Sequence, residues 1–163
     1  MRAAPSRRGD FVHAAVMLVA AALICTYWAA FFLSDLTKPV FVLHPTGAGG
    51  AQLAAVYLGF EGAFPLPDGF VAITLALTGF YLIAGDRSAV LFGLVGGGAM
   101  LFLGLIDIWF NVGHGFYSSR YLASDVGMQM EAAINIGCVV GPTWSIWRLW
   151  RQRLYWSPSV IAG

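Results

Sequence analysis

The sequence predicts an all-α membrane protein, a bundle of four transmembrane helices with both termini in the cytoplasm. Hydrophobic residues make up 59% of the 163 residues and charged residues only 10%, with a mean hydropathy of +0.75, whereas soluble domains carry about 25% charged residues. Apolar runs long enough to cross a bilayer also recur along the chain. Nine Lys and Arg residues nearly balance eight Asp and Glu residues. This leaves no basic excess for binding phosphates, so no nucleic-acid partner is expected.

The first predicted span covers residues 11–33, which reach about 34 Å as a helix. It follows the basic residues Arg2, Arg7 and Arg8, as a secretory signal would. The run is longer than the hydrophobic region of a signal peptide, and no typical small-residue cleavage site follows it. We therefore expect a retained helix.

A long first extracytoplasmic loop is predicted next, because Pro39, Pro45 and a glycine cluster break helices there. Residues 52–64 are apolar, but they are too short to span and are interrupted by Glu61, so an interfacial or re-entrant helix is expected. The second span, residues 65–85, begins at prolines, which the first turn of a helix tolerates.

The third and fourth spans are predicted at residues 88–110 and 127–148, and a cytoplasmic tail at 149–163. The turn at Asp86 and Arg87 is short enough to make the second and third helices antiparallel neighbours. Residues 1–163 are thus expected to form a single transmembrane domain.

The distribution of basic residues predicts the orientation. Seven of the nine Lys and Arg residues lie on one side of the proposed membrane, leaving only Lys38 and Arg120 on the other. The excess of Lys and Arg on the cytoplasmic side of membrane proteins therefore places both termini inside, in a cell (inner) membrane.

Polar side chains are expected on one face of three of these helices. Asp107, Asn111 and His114 are spaced i, i+4 and i+7, which places them on one face of the third helix. The fourth helix has Glu131 and Asn135 at i and i+4, and the second helix has a stripe of Thr74, Thr78 and Tyr81. Because unpaired polar groups are costly in hydrocarbon, these faces should point into the bundle.

These faces define the candidate site at the outer end of the bundle. If the protein is an enzyme, the catalytic residues would be Asp107, His114 and Glu131. The candidate ligand-binding residues are Asn111, Asn135, Glu61, Asp68 and Tyr81. Structural alternatives stay open, since Asp107 can be hydrated at the headgroups, Glu131 and Asn135 can form a structural hydrogen bond, and His114 can simply mark a helix end.

No metal site is expected, and the sequence identifies no cofactor. Cys25 and Cys138 lie singly within apolar runs, with no CxxC motif and no histidine at zinc-finger spacing. His44, next to Pro45, is interpreted as a solvated loop residue. Gly93, Gly97 and Gly104 follow helical spacing in the third span and predict a surface for close helix packing rather than a nucleotide-binding loop.

Three short segments carry a family resemblance: 64–68 (Phe-Pro-Leu-Pro-Asp), 104–111 (Gly-Leu-Ile-Asp with Phe-Asn) and 113–117 (Gly-His-Gly-Phe-Tyr). They resemble a family of small, uncharacterised bacterial four-helix integral membrane proteins, over roughly 55 residues. The resemblance implies a four-helix membrane fold and carries no known activity.

Two functions fit these features. The first is a membrane protein whose polar, acidic cavity opens to the outer leaflet and binds a small amphipathic ligand, or which acts as an accessory subunit for other membrane subunits. The second is an intramembrane enzyme, isomerase-like, in which a carboxyl group and His114 exchange a proton with a lipid-soluble substrate. The lipid bilayer is a partner under both hypotheses.

Overall fold

The computed structural model describes residues 7–33 and 50–152, and within them the chain is helical with no strand. Four helices have 20 or more residues and two are shorter. In chain order the six helices are α1 (Arg7–Leu33), α2 (Gly50–Glu61), α3 (Pro65–Ala84), α4 (Ser88–Gly113), α5 (Ser119–Leu122) and α6 (Val126–Gln152).

Three helical segments of the described chain are long and apolar enough to cross a membrane: Arg8–Leu33, Gln52–Ala84 and Ser88–Gly113. The second of them combines α2 and α3, which are joined by one turn in which Gly62 and Phe64 donate helix-like hydrogen bonds to Leu58 and Glu61. Helix α6 has 27 residues but is less apolar, because Gln129, Glu131 and Asn135 fall within it. The finding is thus an all-helical protein with three candidate spans.

The described helices lie close to the predicted ones. Helix α1 begins four residues before the predicted span, while α3 and α4 begin at the predicted residues 65 and 88. Helix α2 overlaps the stretch 52–64, for which a short loop helix was predicted, but it begins two residues before that stretch and ends three residues before its end. The helix-breaking residues Pro39 and Pro45 and the predicted loop residue His44 lie outside the described residues.

The turn between α3 and α4 depends on one glycine. Gly85 has a φ of 70°, a left-handed conformation that glycine adopts without a Cβ penalty. This lets the Asp86 N–H donate back to the carbonyl of Tyr81 at 2.9 Å, while the Asp86 carboxylate accepts the Ser88 N–H at 2.7 Å. The hydrogen bond from Ser88 lowers the pKa of Asp86. Both helix ends are therefore capped within a very short connection.

Glycines on α4 form the contact with its two neighbours. A Cβ on Gly93 would contact Leu149 and Thr78, and one on Gly104 would lie 2.7 Å from the Cβ of Cys138. Thr78 donates its hydroxyl to the carbonyl of Thr74 at 2.7 Å, so its polar atom is satisfied within α3. The predicted packing role of Gly93, Gly97 and Gly104 is therefore confirmed, since each faces a side chain of a neighbouring helix.

The helices pack in the order α1, α3, α4, α6. The start of α1 and the end of α6 also meet, since the Arg148 guanidinium lies 3.1 Å from the Asp10 carboxylate and Gln152 donates to the same oxygen at 2.6 Å. One turn further in, the His13 ring lies 2.8 Å from the Ser145 hydroxyl. These contacts join α1 to α6 at one end of the bundle. Toward the other end the two helices line opposite sides of a cavity.

Candidate functional site

Three carboxyl groups from different helices meet at the end of the bundle away from Asp10. Glu61 ends α2, Asp107 lies on α4 and Glu131 on α6, and one oxygen from each lies within 4.8 Å of the others. All three are buried, with exposed fractions of 6%, 9% and 5%. Carboxyl groups whose oxygens lie this close together are stabilised by a proton or a cation among them.

Two asparagines donate hydrogen bonds to Asp107 and Glu131, and each asparagine lies one helical turn after one of these acidic residues. Asn111 donates to Asp107 at 3.0 Å and to Glu131 at 3.4 Å, and Asn135 donates to Glu131 at 3.0 Å. The i, i+4 spacing on α4 and on α6 puts each amide beside the acid of its own helix. Both asparagines are buried, at 0% and 2% exposed.

Tyr117 completes this layer from the segment after α4. Its hydroxyl oxygen accepts from Asn135 at 2.6 Å and from Asn111 at 3.4 Å. Burial raises the pKa of the Tyr117 phenol, so the group is neutral at physiological pH. The side-chain N–H groups of both asparagines therefore donate to Asp107, Glu131 and Tyr117.

Two aromatic residues of α1 bind carboxyl groups at the same end. Tyr27 donates its hydroxyl to Glu61 at 3.3 Å, and Trp28 donates its indole N–H to Asp68 at 2.9 Å. These contacts tie α1 to the segment where α2 passes into α3. Among the described residues, the side chains that donate to Glu61, Asp68, Asp107 and Glu131 are all neutral.

A cavity of about 590 Å³ runs from the carboxyl groups into the bundle. It is lined along α6 from Met130 to Ser145 and along α1 from Val16 to Ala30, so it extends over about 21 Å at 1.5 Å per residue. Glu61, Asp68, Asp107 and Glu131 lie at one end of it. The remaining wall is largely apolar, with Met17, Ile24, Leu75, Met100 and Leu103 among its residues.

The cavity opens sideways on an apolar rim. Val16 and Leu23 both line it, yet they are 42% and 64% exposed. An apolar rim on a membrane-spanning bundle faces lipid rather than water. The cavity therefore has an exposed, apolar edge along α1.

Ionised carboxyl groups at this end of the cavity would repel one another. Two ionised carboxylates 4.8 Å apart repel by about 3 kcal/mol at an effective dielectric constant of about 20. Such a group is stable when a proton or a cation lies among its oxygens. The three oxygens are also close enough together to contact one metal ion, which the sequence did not predict, because their ligand atoms come from three separate helices.

The structure brings together most of the predicted site residues. Asp107, Asn111, Glu131 and Asn135 are joined by hydrogen bonds, and Glu61 places a carboxyl oxygen within 4.8 Å of those of Asp107 and Glu131. These five residues are hereafter the carboxyl cluster, and Asp68 lines the same cavity. His114 and Tyr81 do not line it. Helix α4 ends at Gly113, so His114 leaves the predicted face, is exposed, and bonds the Phe110 carbonyl at 2.8 Å. Tyr81 stacks on Phe92.

Sequence reasoning missed three contributors. From the sequence no functional role is predicted for Tyr27 and Trp28, yet both donate hydrogen bonds to carboxyl groups that line the cavity. Tyr117 occurs in the sequence-based predictions only within the segment 113–117 of the family resemblance, yet its hydroxyl accepts hydrogen bonds from both asparagines. The sequence signal that could have found Tyr27 and Trp28 was their predicted depth in the membrane. They lie near the outer end of the first span, at the level predicted for the acidic residues of the other helices.

Comparison with known proteins adds no family to this description: no protein-family model, no curated protein and no solved structure matches the chain. The class that the fold and the site define is therefore an all-helical protein with three candidate membrane spans and a buried carboxyl cluster at the end of an apolar cavity. The family resemblance of segments 64–68, 104–111 and 113–117 stays a prediction.

Proposed function

We propose that this protein binds a small amphipathic ligand in the cavity between α1 and α6, with the polar head at the carboxyl cluster and the apolar part along the bundle. The observation that carries the proposal is the polarity of the cavity, whose carboxyl groups lie at one end of a long apolar wall. Ligand sites typically combine apolar walls with a few convergent polar groups. The apolar, exposed rim at Val16 and Leu23 suits entry from lipid.

The membrane arrangement that accompanies this proposal has four spans, with α6 as the fourth and both termini in the cytoplasm of a cell that keeps the protein in its inner membrane. The 7 to 2 division of basic residues supports it. So does the contact of Asp10 with Arg148, since α1 begins on the side of the bundle where α6 ends, as an even number of crossings requires. In this arrangement the carboxyl cluster belongs to the outer half, and α2 is the interfacial or re-entrant helix of the first extracytoplasmic loop.

A test compares the ligand content of two phenylalanine variants. Ala20 lines the cavity, whereas Ala15 on the same helix is exposed and outside it. We expect native mass spectrometry of the protein in mild detergent to find a co-purifying amphiphile in the wild type and in Ala15→Phe, and much less in Ala20→Phe, because the ring fills the cavity. Equal ligand content in both variants would contradict the proposal, and a bound polypeptide instead of a small molecule would favour the accessory-subunit role.

The second candidate is an intramembrane enzyme that transfers a proton to a lipid-soluble substrate. The closeness of the Glu131 and Asp107 carboxyl oxygens, which lie within 4.8 Å of each other at the cavity, favours it, since such a pair can share one exchangeable proton. The exposed His114 lies outside the cavity lining, so the pair would act without it. Incorporation of deuterium from solvent into the co-purified ligand, abolished in Glu131→Gln, would support the enzyme.

A further inference from the structure

The wall of the cavity carries acidic groups and no basic ones. Glu61, Asp68, Asp107 and Glu131 line it, and among the described residues no Lys, Arg or His does. Their hydrogen-bond donors are the neutral groups of Tyr27, Trp28 and the two asparagines. No described side chain therefore neutralises this end of the cavity.

The polar atoms that have no partner there are acceptors. Asn135 lines the cavity and is 2% exposed, and its Oδ1 is buried without a hydrogen-bond partner among the described residues. The Oδ1 of Asn111, in the same cluster, is in the same state. Buried acceptors without a donor are costly. A ligand that satisfies them must bring N–H or O–H groups, and next to carboxylates a charged N–H group gives the strongest bonds.

We propose that the ligand is a lipophilic amine, bound with its protonated nitrogen at the carboxyl cluster and its hydrocarbon chain along the apolar wall. This rests on the proposed function and specifies its ligand class. An ammonium group has N–H donors and no acceptor, which matches the free Oδ1 of Asn135 and the carboxylates of Glu61, Asp107 and Glu131. Trp28 and Tyr27 add aromatic rings at the same end, and aromatic rings attract ammonium groups.

A divalent metal ion is the competing occupant, because the three cluster oxygens are close enough together to contact one ion. Two observations favour the amine. The cavity is about 21 Å long with the carboxyl groups at one end of it, and a metal ion would leave most of this length unused. Asp68 lies outside the three-residue group yet lines the same cavity, so the negative charge is spread over more than one coordination sphere.

The test uses three probes that share one hydrocarbon chain and differ in the head group: dodecylamine, dodecanol and dodecanoate. Each probe is added to the full-length protein in phosphatidylcholine nanodiscs. Thermal stability is followed against probe concentration to give an apparent Kd. We expect dodecylamine to stabilise most, dodecanol less and dodecanoate least. If none of the three stabilises the protein, the proposed function fails. If dodecanol or dodecanoate matches dodecylamine, only the amine inference fails.

Variants separate head recognition from chain binding. We expect Glu131→Gln to raise the apparent Kd of dodecylamine by about 10-fold or more, because one charge-assisted hydrogen bond is lost. The apparent Kd of dodecanol should change by less than about 3-fold. Retained dodecanol binding shows that the variant is folded. The control is Asp86→Asn, in the turn before α4 at the opposite end of that helix, which should leave the apparent Kd of dodecylamine and that of dodecanol unchanged. An equal loss for both probes in Glu131→Gln contradicts the inference.

A titration with a divalent metal ion tests the competing occupant. Mn²⁺ is titrated into the wild type without a probe, and dodecylamine is then added. Stabilisation by Mn²⁺ that disappears in Glu131→Gln, with no effect of dodecylamine beyond that of dodecanol, would assign the cluster to a metal ion and overturn the amine. Stabilisation by dodecylamine that Mn²⁺ does not reproduce supports the amine.

Discussion

Adding one methyl group at Gly104 should separate α4 from α6, whereas the same change at Gly98 should not. A Cβ on Gly104 would lie 2.7 Å from the Cβ of Cys138 and 3.5 Å from its carbonyl carbon and oxygen. Ordinary contacts of this kind begin at 3.4 Å, so the two helices must part by about 0.7 Å, and no rotamer relieves the clash because both Cβ atoms are fixed to backbone. Gly98, on the same helix, would meet no atom within 4 Å.

The size of this effect follows from the cost of overpacking. Forcing extra carbon into a packed contact costs about 1–3 kcal/mol, and each kcal/mol shifts the Tm of a chain of this size by about 2–4 °C. We therefore expect Gly104→Ala to lower the Tm in detergent by about 2–12 °C. Gly98→Ala should leave the Tm unchanged or raise it slightly, since alanine is the better helix former by about 0.5–1 kcal/mol.

The assay is thermal unfolding of both variants in one detergent, followed by tryptophan fluorescence and by the fraction that stays monodisperse. A Tm of Gly104→Ala equal to that of Gly98→Ala would refute the close packing of α4 on α6, and with it the position of Asp107 beside Glu131.

Three further predictions concern the ends of the bundle. Asp10→Asn and Arg148→Gln should each lower stability by about 1 kcal/mol, since the pair is only partly exposed, and the double variant should lose less than the sum; full additivity would show that the pair does not interact. The lowered pKa of Asp86 means that its hydrogen bond with Ser88 stabilises the fold above the ordinary pKa of a free aspartate and loses that effect as the pH falls through the lowered pKa. The difference in Tm between wild type and Asp86→Asn should therefore shrink as the pH falls below the ordinary pKa of aspartate, about 3.9, and a constant difference would contradict the turn geometry. Reporters fused after the last residue should behave as cytoplasmic and reporters between α4 and α6 as external; the reverse result would overturn the orientation.

The helices could be predicted from the sequence because their signals are local. Apolar runs and Pro or Gly boundaries give the starts of α3 and α4 to the residue. The polar faces were also predictable, because i, i+4 spacing places Asn111 beside Asp107 and Asn135 beside Glu131 whatever the tertiary packing. The last turn of α4 was not, since helix ends depend on local capping, and the end at Gly113 removes His114 from the face that periodicity assigned to it.

Contacts between distant segments were beyond the sequence. The approach of Trp28 to Asp68 and of Tyr27 to Glu61 depends on how α1 is rotated against α3, and an almost uniformly apolar α1 gives little indication of that rotation. The continuity of α2 with α3 was likewise missed, because Glu61 and the prolines around it are typical of a helix boundary. In the structure Glu61 is buried, accepts a hydrogen bond from Tyr27 of α1 and belongs to the carboxyl cluster.

Protection of Cys138 tests the occupied cavity most directly. Cys138 lines the cavity, whereas Cys25 is exposed and outside it, so the Cys25→Ala variant leaves one native thiol as a reporter. Its labelling by N-ethylmaleimide in nanodiscs is followed by intact mass with and without dodecylamine, and the reverse variant, Cys138→Ala, reports on Cys25. The account predicts that saturating dodecylamine slows labelling of Cys138 severalfold and leaves Cys25 unchanged. Equal labelling of Cys138 with and without the amine would contradict binding in the cavity.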